Sequence, residues 1–210
     1  TLSSTISYSK TVPIVPLVNF AVAVTHNQNT NTEVVNLTLP SFNASVDRIF
    51  PFAKQDGIKK GIFQNINFQY SLKGENRITT TEEFMFKSQM FDTALAGFSH
   101  NIPLTTNFKI FKHFSVSAGT NYTENWVFNT NEKFYNTTTN AVETVRKNGF
   151  DAYRTYNFTS SIGTTVYGTY TFKETNKIQA IRHLMRPSIS YGYTPSFDEY
   201  YQQYTDKFNK

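Results

Sequence analysis

The chain is organised by a period of two. From Tyr156 to Phe172 the even positions read Tyr, Phe, Ser, Ile, Thr, Val, Gly, Tyr, Phe, and the odd positions read Asn, Thr, Ser, Gly, Thr, Tyr, Thr, Thr. A helix of period 3.6 would mix these sets, whereas a strand sends them to opposite faces. The same separation sets Ile62, Ile66, Phe68, Tyr70 and Leu72 against Asn65, Asn67, Gln69 and Ser71. It sets Ile102, Leu104, Phe108 and Ile110 against Asn101, Thr105, Asn107 and Lys109. It also sets Phe114, Val116, Ala118, Tyr122, Trp126 and Phe128 against Ser115, Ser117, Asn121, Thr123 and Asn125. Phe20, Val22 and Val24 make a shorter set near the N-terminus, as do Leu2, Ile6 and Tyr8. A strand over 181–193 puts Ile181, Met185, Ile189 and Tyr191 on one face and Arg182, Arg186, Ser188 and Ser190 on the other.

One stretch breaks parity. Val35, Leu37 and Leu39 are odd, whereas Phe42, Ala44 and Val46 are even, with Pro40 and Ser41 at the switch. A bulge there keeps one face apolar, and proline is tolerated at a bulge.

The connections alternate in character. Phe111–Phe114 reads as a tight turn, and Lys173–Lys177 as another short one. Asn129–Asp151 reads as a long polar loop, and Lys73–His100 as a long connection with a helical turn around Met90–Ala96. Short connections at one end and long ones at the other are the plan of an outer-membrane barrel, with the short turns periplasmic. On that plan strand 114–128 runs outward and 156–172 inward. Glu124 interrupts the apolar face at about the eleventh residue of its strand, where a tilted strand leaves the hydrocarbon, and Trp126 just beyond suits the interface.

Composition sharpens the choice. No run approaches the length of a transmembrane helix, but a barrel hides its apolar face in alternation and needs none. Phe and Tyr are abundant, the polar part is mostly Asn, Thr and Ser, and only 17% of residues are charged. Soluble strands usually carry more surface charge and run to about five or six residues. These features favour a membrane barrel over a secreted β-sandwich or adhesin. The expected fold class is therefore all-β, an antiparallel transmembrane β-barrel. Residues 1–210 form part of one larger barrel domain, since neither end carries a start or stop signal.

No chemistry stands out against this reading. Cysteine is absent, which excludes thiolate metal sites, thiol catalysis and disulfides within these residues. His26, His100, His113 and His183 lack ligand spacing, and no G-x-S-x-G turn is present. Glu82-Glu83 and Asp198-Glu199 read as solvated loop charges, and five Asn-x-Ser/Thr sequons as by-products of composition. No catalytic, metal or cofactor residue is assigned, and the net charge of +5 does not point to nucleic acid. The candidate positions are two faces. Asn67, Asn107, Asn121, Asn157, Thr165, Arg182 and Arg186 are expected to face the lumen, and Phe68, Phe108, Tyr122, Phe158 and Val166 the lipid. The two arginines either pair with a carboxylate on a neighbouring strand or meet an acidic or phosphorylated ligand.

The run His183-Leu-Met-Arg-Pro-Ser-Ile-Ser-Tyr-Gly-Tyr-Thr-Pro195 resembles a strand of the lipopolysaccharide-assembly barrel family LptD, with its Leu-x-x-Pro stretch leading to Tyr-x-Tyr-x-Pro. Val35–Phe42 followed by Arg48–Phe52 resembles that family's Leu-Pro strand in Bacteroidetes-type members. Gly97–Pro103, Tyr122–Trp126 and Gly149–Phe158 are similar to the same branch, so the likeness covers roughly residues 33–200. Arg186 stands where proteobacterial members usually have an acid, and their assembly-coupled cysteines are missing. The family's periplasmic jelly-roll is not visible in this stretch either. The resemblance implies a non-enzymatic outer-membrane translocon of about two dozen or more strands, within the known range of barrel sizes. It implies a plug lipoprotein (LptE-like), periplasmic bridge proteins, and lipopolysaccharide as cargo. Sugars would pass through the lumen while acyl chains leave sideways into outer-membrane lipid. Other outer-membrane barrels, such as a porin or a TonB-dependent receptor, are the alternative.

Overall fold

The computed structural model describes residues 1–54, 57–59, 61–173, 178 and 180–201. In chain order its strands are β1 (Leu2–Val12), β2 (Val18–Asn29), β3 (Val34–Ile49), β4 (Asn67–Thr81), β5 (Leu95–Ile110), β6 (Phe114–Asn136), β7 (Ala141–Thr164), β8 (Val166–Thr171), β9 (Ala180–Met185) and β10 (Ser188–Tyr193). Strands β1 to β7 follow one another as an antiparallel meander, β10 adds to the far side of β7, and β8 pairs with β9. The sheet is open, with β1 and β10 at its edges.

The parity switch in β3 is a bulge. Thr38 pairs with Arg77 and Ser41 with Glu75, so Leu39 and Pro40 together oppose Asn76 alone. The same irregularity faces β2, between Ala23 and Thr25. Leu37 thereby comes opposite Ile78 and Phe42 opposite Gly74, and the apolar side chains stay on one face despite the change of parity.

A second irregularity divides what reads as two long strands. Gly163 pairs with Ser188, and Val166 with Met185, in one unbroken register, yet the ladder is interrupted at Thr165 and Arg186–Pro187. The Thr164 N–H still donates to the Pro187 carbonyl at 3.1 Å, but proline has no N–H to return. The expected strands 156–172 and 181–193 are therefore each two strands on one path.

Three other expectations need correction. Asn129–Asp151 is a hairpin rather than a loop: β6 runs to Asn136, β7 starts at Ala141, and the two pair almost throughout. Lys73–His100 is likewise mostly strand, with the connection confined to 82–94. In both cases the ladder continues where the apolar alternation stops, because strands beyond the hydrocarbon need hydrogen bonds but no greasy face. Ile62 lies in a short helix, α1 (Gly61–Gln64), and Ile66 precedes β4, so neither shares the strand face of Phe68. The expected turn at Phe111–Phe114 is present, with positive φ at Phe111 and Lys112. The helical turn near Met90 is a 3-10 segment, Ser88–Thr93. The expected turn Lys173–Lys177 falls outside the described residues beyond Lys173.

Very little of the sheet is buried. Among the described residues the enclosed apolar side chains are Val35, Leu37, Ile78 and Met90, where the 82–94 connection folds back on β3 and β4. Arg146 of β7 ties that connection down by donating to the carbonyls of Asp92 and Ala94. Phe158, Ile162, Ile189 and Tyr191 are exposed, and among the described residues no second sheet covers them. A sandwich would bury such a face against its partner sheet. A barrel wall leaves it to the membrane.

The hairpin ends are staggered as a tilted wall requires. Following the register from Val12 across β2, β3, β4 and β5 arrives at Tyr122, whereas the β5–β6 turn leaves at Phe114, eight residues further along. Strand tilt and stagger are linked in any closed sheet. The opposite ends do not step in this way. There β6 and β7, of 23 and 24 residues, outgrow β1 and β2, of 11 and 12.

The register predicts which glycine matters. A Cβ on Gly97 would lie 2.9 Å from the Trp126 backbone oxygen, while one on Gly149 would meet nothing within 4 Å. Gly97→Val should destabilise the folded barrel by about 1–3 kcal/mol through strain on the β5–β6 ladder. Gly149→Val should be close to neutral. Urea midpoints of the full-length protein in detergent, read by heat-modifiable gel mobility, check this, and equal midpoints for the two variants would contradict it.

Candidate functional site: the two faces of the wall

The sheet carries its chemistry as two surfaces. Because paired residues share a face, the register decides membership across strands. Asn67 pairs with Thr105, Asn107 with Ser117, Ser117 with Ser161 and Asn121 with Asn157. These side chains, with Ser115, Gly119, Thr123, Thr159, Ser188 and Ser190, lie on one polar face. On the other, Phe68 pairs with Leu104, Phe108 with Val116, Tyr122 with Tyr156, and Phe158 with Thr120 and Tyr193.

The polar face is knitted by its own hydrogen bonds. Ser117 and Ser161 hydroxyls are 2.6 Å apart. The Asn121 amide donates to the Thr123 hydroxyl at 3.3 Å, which donates to the Asn101 side-chain oxygen at 3.2 Å. The Asn121 backbone N–H donates to the Asn157 side-chain oxygen at 3.3 Å. Each is a neutral bond of modest net worth, about 0.5–1.5 kcal/mol, and each can be exchanged for a bond to water or to another hydroxyl.

This face is also the hollow one. A depression of about 360 Å³ is lined by Thr105, Asn107, Ser117, Gly119, Thr159 and Ser161, with Gly192 of β10 and Arg48 of β3. Strands β3 and β10 are separated by four others in the sheet. They can edge the same depression only if the sheet bends toward the polar side. Two further hollows, bounded by Asn19, Asn43 and Ser71 and by Asn107, Ser115 and Ser161, open on this face too.

The apolar face ends in a polar row. His100 pairs with Glu124, and Glu124 with Arg154. Around them, Tyr70 Oη lies 2.8 Å from His100 Nδ1, and the His100 ring packs on Trp126 with centroids 4.2 Å apart. Glu124 accepts from the Tyr122 hydroxyl at 2.5 Å and from Trp126 Nε1 at 2.9 Å. Phe98, Phe128 and Phe150 continue the aromatic belt, each ring about 6 Å from the next. From Phe114 to Glu124 the strand spans about 33 Å at about 3.3 Å per residue. Tilted by about 45°, it climbs roughly 23 Å, close to the height of an outer-membrane apolar band.

The expected positions separate as follows. Phe68, Phe108, Tyr122 and Phe158 share the apolar face, and Val166 pairs with Met185 on its continuation. Asn67, Asn107, Asn121 and Asn157 share the polar face. Asn67, however, is buried and spent: its amide donates to the Asn65 and Thr105 carbonyls, and its oxygen accepts from the Thr105 hydroxyl. Thr165 and Arg186 sit at the break in the ladder. Arg182 stands opposite Thr169, its guanidinium 4.8 Å from the Tyr167 ring centre, an arrangement that neither expected partner foresaw. Arg48 was not singled out, because nothing in its local sequence reveals that curvature carries it toward strands far from its own.

A family model described as LptD protein matches residues 1–210. The chain belongs to the LptD family. That family is one of outer-membrane proteins of lipopolysaccharide transport, which act on lipid as carriers and are not known as enzymes. Searches of curated proteins and of solved structures returned no match.

For an LptD-family wall the two faces should differ sharply in tolerance of charge. Phe158 and Asn157 are adjacent in sequence, opposite in facing, and near mid-height of the band. Phe158→Arg should cost about 2–4 kcal/mol. Asn157→Arg should cost far less. Urea titration of the folded full-length barrel in lipid measures both, and equal costs would refute the facing.

Proposed function

We propose that this chain forms part of the wall of a translocon that inserts lipopolysaccharide into the outer leaflet without making or breaking a bond. The polar face lines the lumen and carries the saccharide, while the apolar face meets membrane lipid. An LptE-like lipoprotein plugs the barrel, periplasmic bridge proteins deliver the cargo, and acyl chains leave sideways between the barrel's first and last strands. Family membership favours this reading over a porin, a TonB-dependent receptor or a secreted adhesin.

The observation that carries the proposal is the makeup of the concave face. Its Asn, Ser and Thr side chains are paired with one another in weak, neutral bonds. A sugar hydroxyl can replace any of these partners at little net cost, so a saccharide stays solvated without being trapped. Partition keeps it there, because an unpaired hydroxyl in hydrocarbon costs several kcal/mol. The growing strand length toward Asn136 and Ala141 supports placing that hairpin at the cell surface and the Phe111–His113 turn in the periplasm, since barrels keep their short ends periplasmic.

Photo-crosslinkers at Asn121 and Asn157 in the full-length protein should capture lipopolysaccharide only while transport runs, and capture of the plug lipoprotein at one of them also fits. Crosslinkers at Tyr122 and Phe158 should capture bulk lipid regardless of transport. If the polar positions capture neither lipopolysaccharide nor a plug, and depletion of the protein leaves surface lipopolysaccharide intact, the export function fails and only the wall remains.

A further inference from the structure

The row His100–Glu124–Arg154 is out of place on an apolar face. Three ionisable residues stand side by side across β5, β6 and β7, where the neighbouring rows carry Ile102, Tyr122 and Tyr156 on one side and Phe98, Trp126 and Ala152 on the other. Their partners account for two of the three. Glu124 is held by the Tyr122 hydroxyl and the Trp126 indole, one donor on each carboxylate oxygen. His100 is held by Tyr70 and covered by Trp126. Arg154 is different. It is exposed, and among the described residues no carboxylate comes within ion-pair distance of it.

Glu124 accepts from the aromatic pair and forms no ion pair with the guanidinium across the ladder. It steadies the cation by proximity and leaves the exposed guanidinium without a carboxylate partner among the described residues. Exposed aromatic surface flanks the spot at Tyr156 and Phe150 on β7, and half-buried Phe197 packs edge-on to Tyr156 at 5.6 Å. Below the row lies apolar wall from Tyr122 down to Phe114. From the hairpin end toward the apolar strip the surface therefore offers a ring at Phe150, a forked cation at Arg154, a second ring at Tyr156 and then the greasy strip. Guanidinium forks match phosphate oxygens in pairs, which makes phosphate their preferred anion.

We propose that Arg154, positioned by Glu124 and framed by Tyr156 and Phe150, is a binding site on the outside of the wall for the phosphate of a glycolipid in the outer leaflet. The proposal rests on the reading that the apolar face meets lipid and that the β6–β7 hairpin points to the cell surface. The occupant is a phosphorylated glycolipid rather than free phosphate, because the greasy strip directly beneath the cation can hold acyl chains. The site lies away from the polar route and gives the barrel a ring-side contact with the lipid it has delivered or is surrounded by.

The test uses the full-length protein in native outer membranes, with a photo-crosslinker at Ala152, which pairs with Trp126 on the same face. A second crosslinker at Phe108, far from the row, reports contact with lipid in general. Capture of phosphorylated glycolipid at position 152 should fall about fivefold or more in Arg154→Gln, consistent with loss of a charge-assisted bond. It should be partly retained in Arg154→Lys, which keeps the charge but not the fork, and should fall as far as in Arg154→Gln when the glycolipid lacks its phosphates. Heat-modifiable mobility establishes that each variant is folded. Unchanged capture in Arg154→Gln would overturn the site, as would unchanged capture of dephosphorylated glycolipid. Capture of phospholipid in place of glycolipid, or competition by inorganic phosphate alone, would overturn the glycolipid assignment. If position 108 captures no lipid at all, the facing of the wall is wrong, a failure distinct from loss of the Arg154 dependence alone.

Discussion

A chain in hydrocarbon has no water to satisfy its amides, so each N–H and C=O must find a partner within the protein. The continuous antiparallel ladder from β1 to β7 meets that demand, and most other features of the wall follow from it. Once the ladder is fixed, side chains can only alternate, and the two faces become independent surfaces. One can be matched to lipid and the other to a wet lumen without either constraining the other. Where the ladder falters, the reason is local. In β3 two residues oppose one, which resets the phase of the apolar set. At Pro187 the missing N–H opens the pairing and isolates the β8–β9 ribbon.

The faces are held together by different forces. The polar face relies on neutral hydrogen bonds among small side chains, each of little worth and readily exchanged. The apolar face gains little from burial inside the protein, because its neighbour is meant to be membrane. Its order comes from the aromatic belt, where Trp126 links His100, Glu124 and Phe150 in one contact group. The small dry core under Met90 serves another end, fixing the β4–β5 connection against the projecting hairpin with Arg146 as its pin.

Much of this was legible in the residues. The face of each strand, the bulge at Pro40 and the tight turn after Phe111 all follow from period and from backbone sterics, which are local. The LptD family could be named from the run around Pro187 and the Leu-Pro stretch in β3. Strand ends were not legible beyond Asn129 and Lys73, since outside the bilayer the ladder continues with no alternation to announce it. Nor was the state of Asn67, which looks like its polar neighbours but is buried by contacts from Asn65 and Thr105. Arg48 and Arg154 owe their settings to curvature and cross-strand register. Such non-local relations leave no trace in a window of ten residues.

The central claim is that one face of this ladder meets lipid and the other water. Spin labels placed singly at each position from 114 to 128 in the reconstituted full-length barrel measure it directly, by relaxation with oxygen against a water-soluble nickel complex. The account predicts oxygen-rich contact at even positions from Phe114 to Tyr122 and nickel-rich contact at the odd positions between them. The alternation should fade at Glu124 and Trp126, where the strand enters the interface. Nickel accessibility of the same size at even and odd positions, or oxygen maxima at Ser115, Ser117 and Asn121, would contradict it.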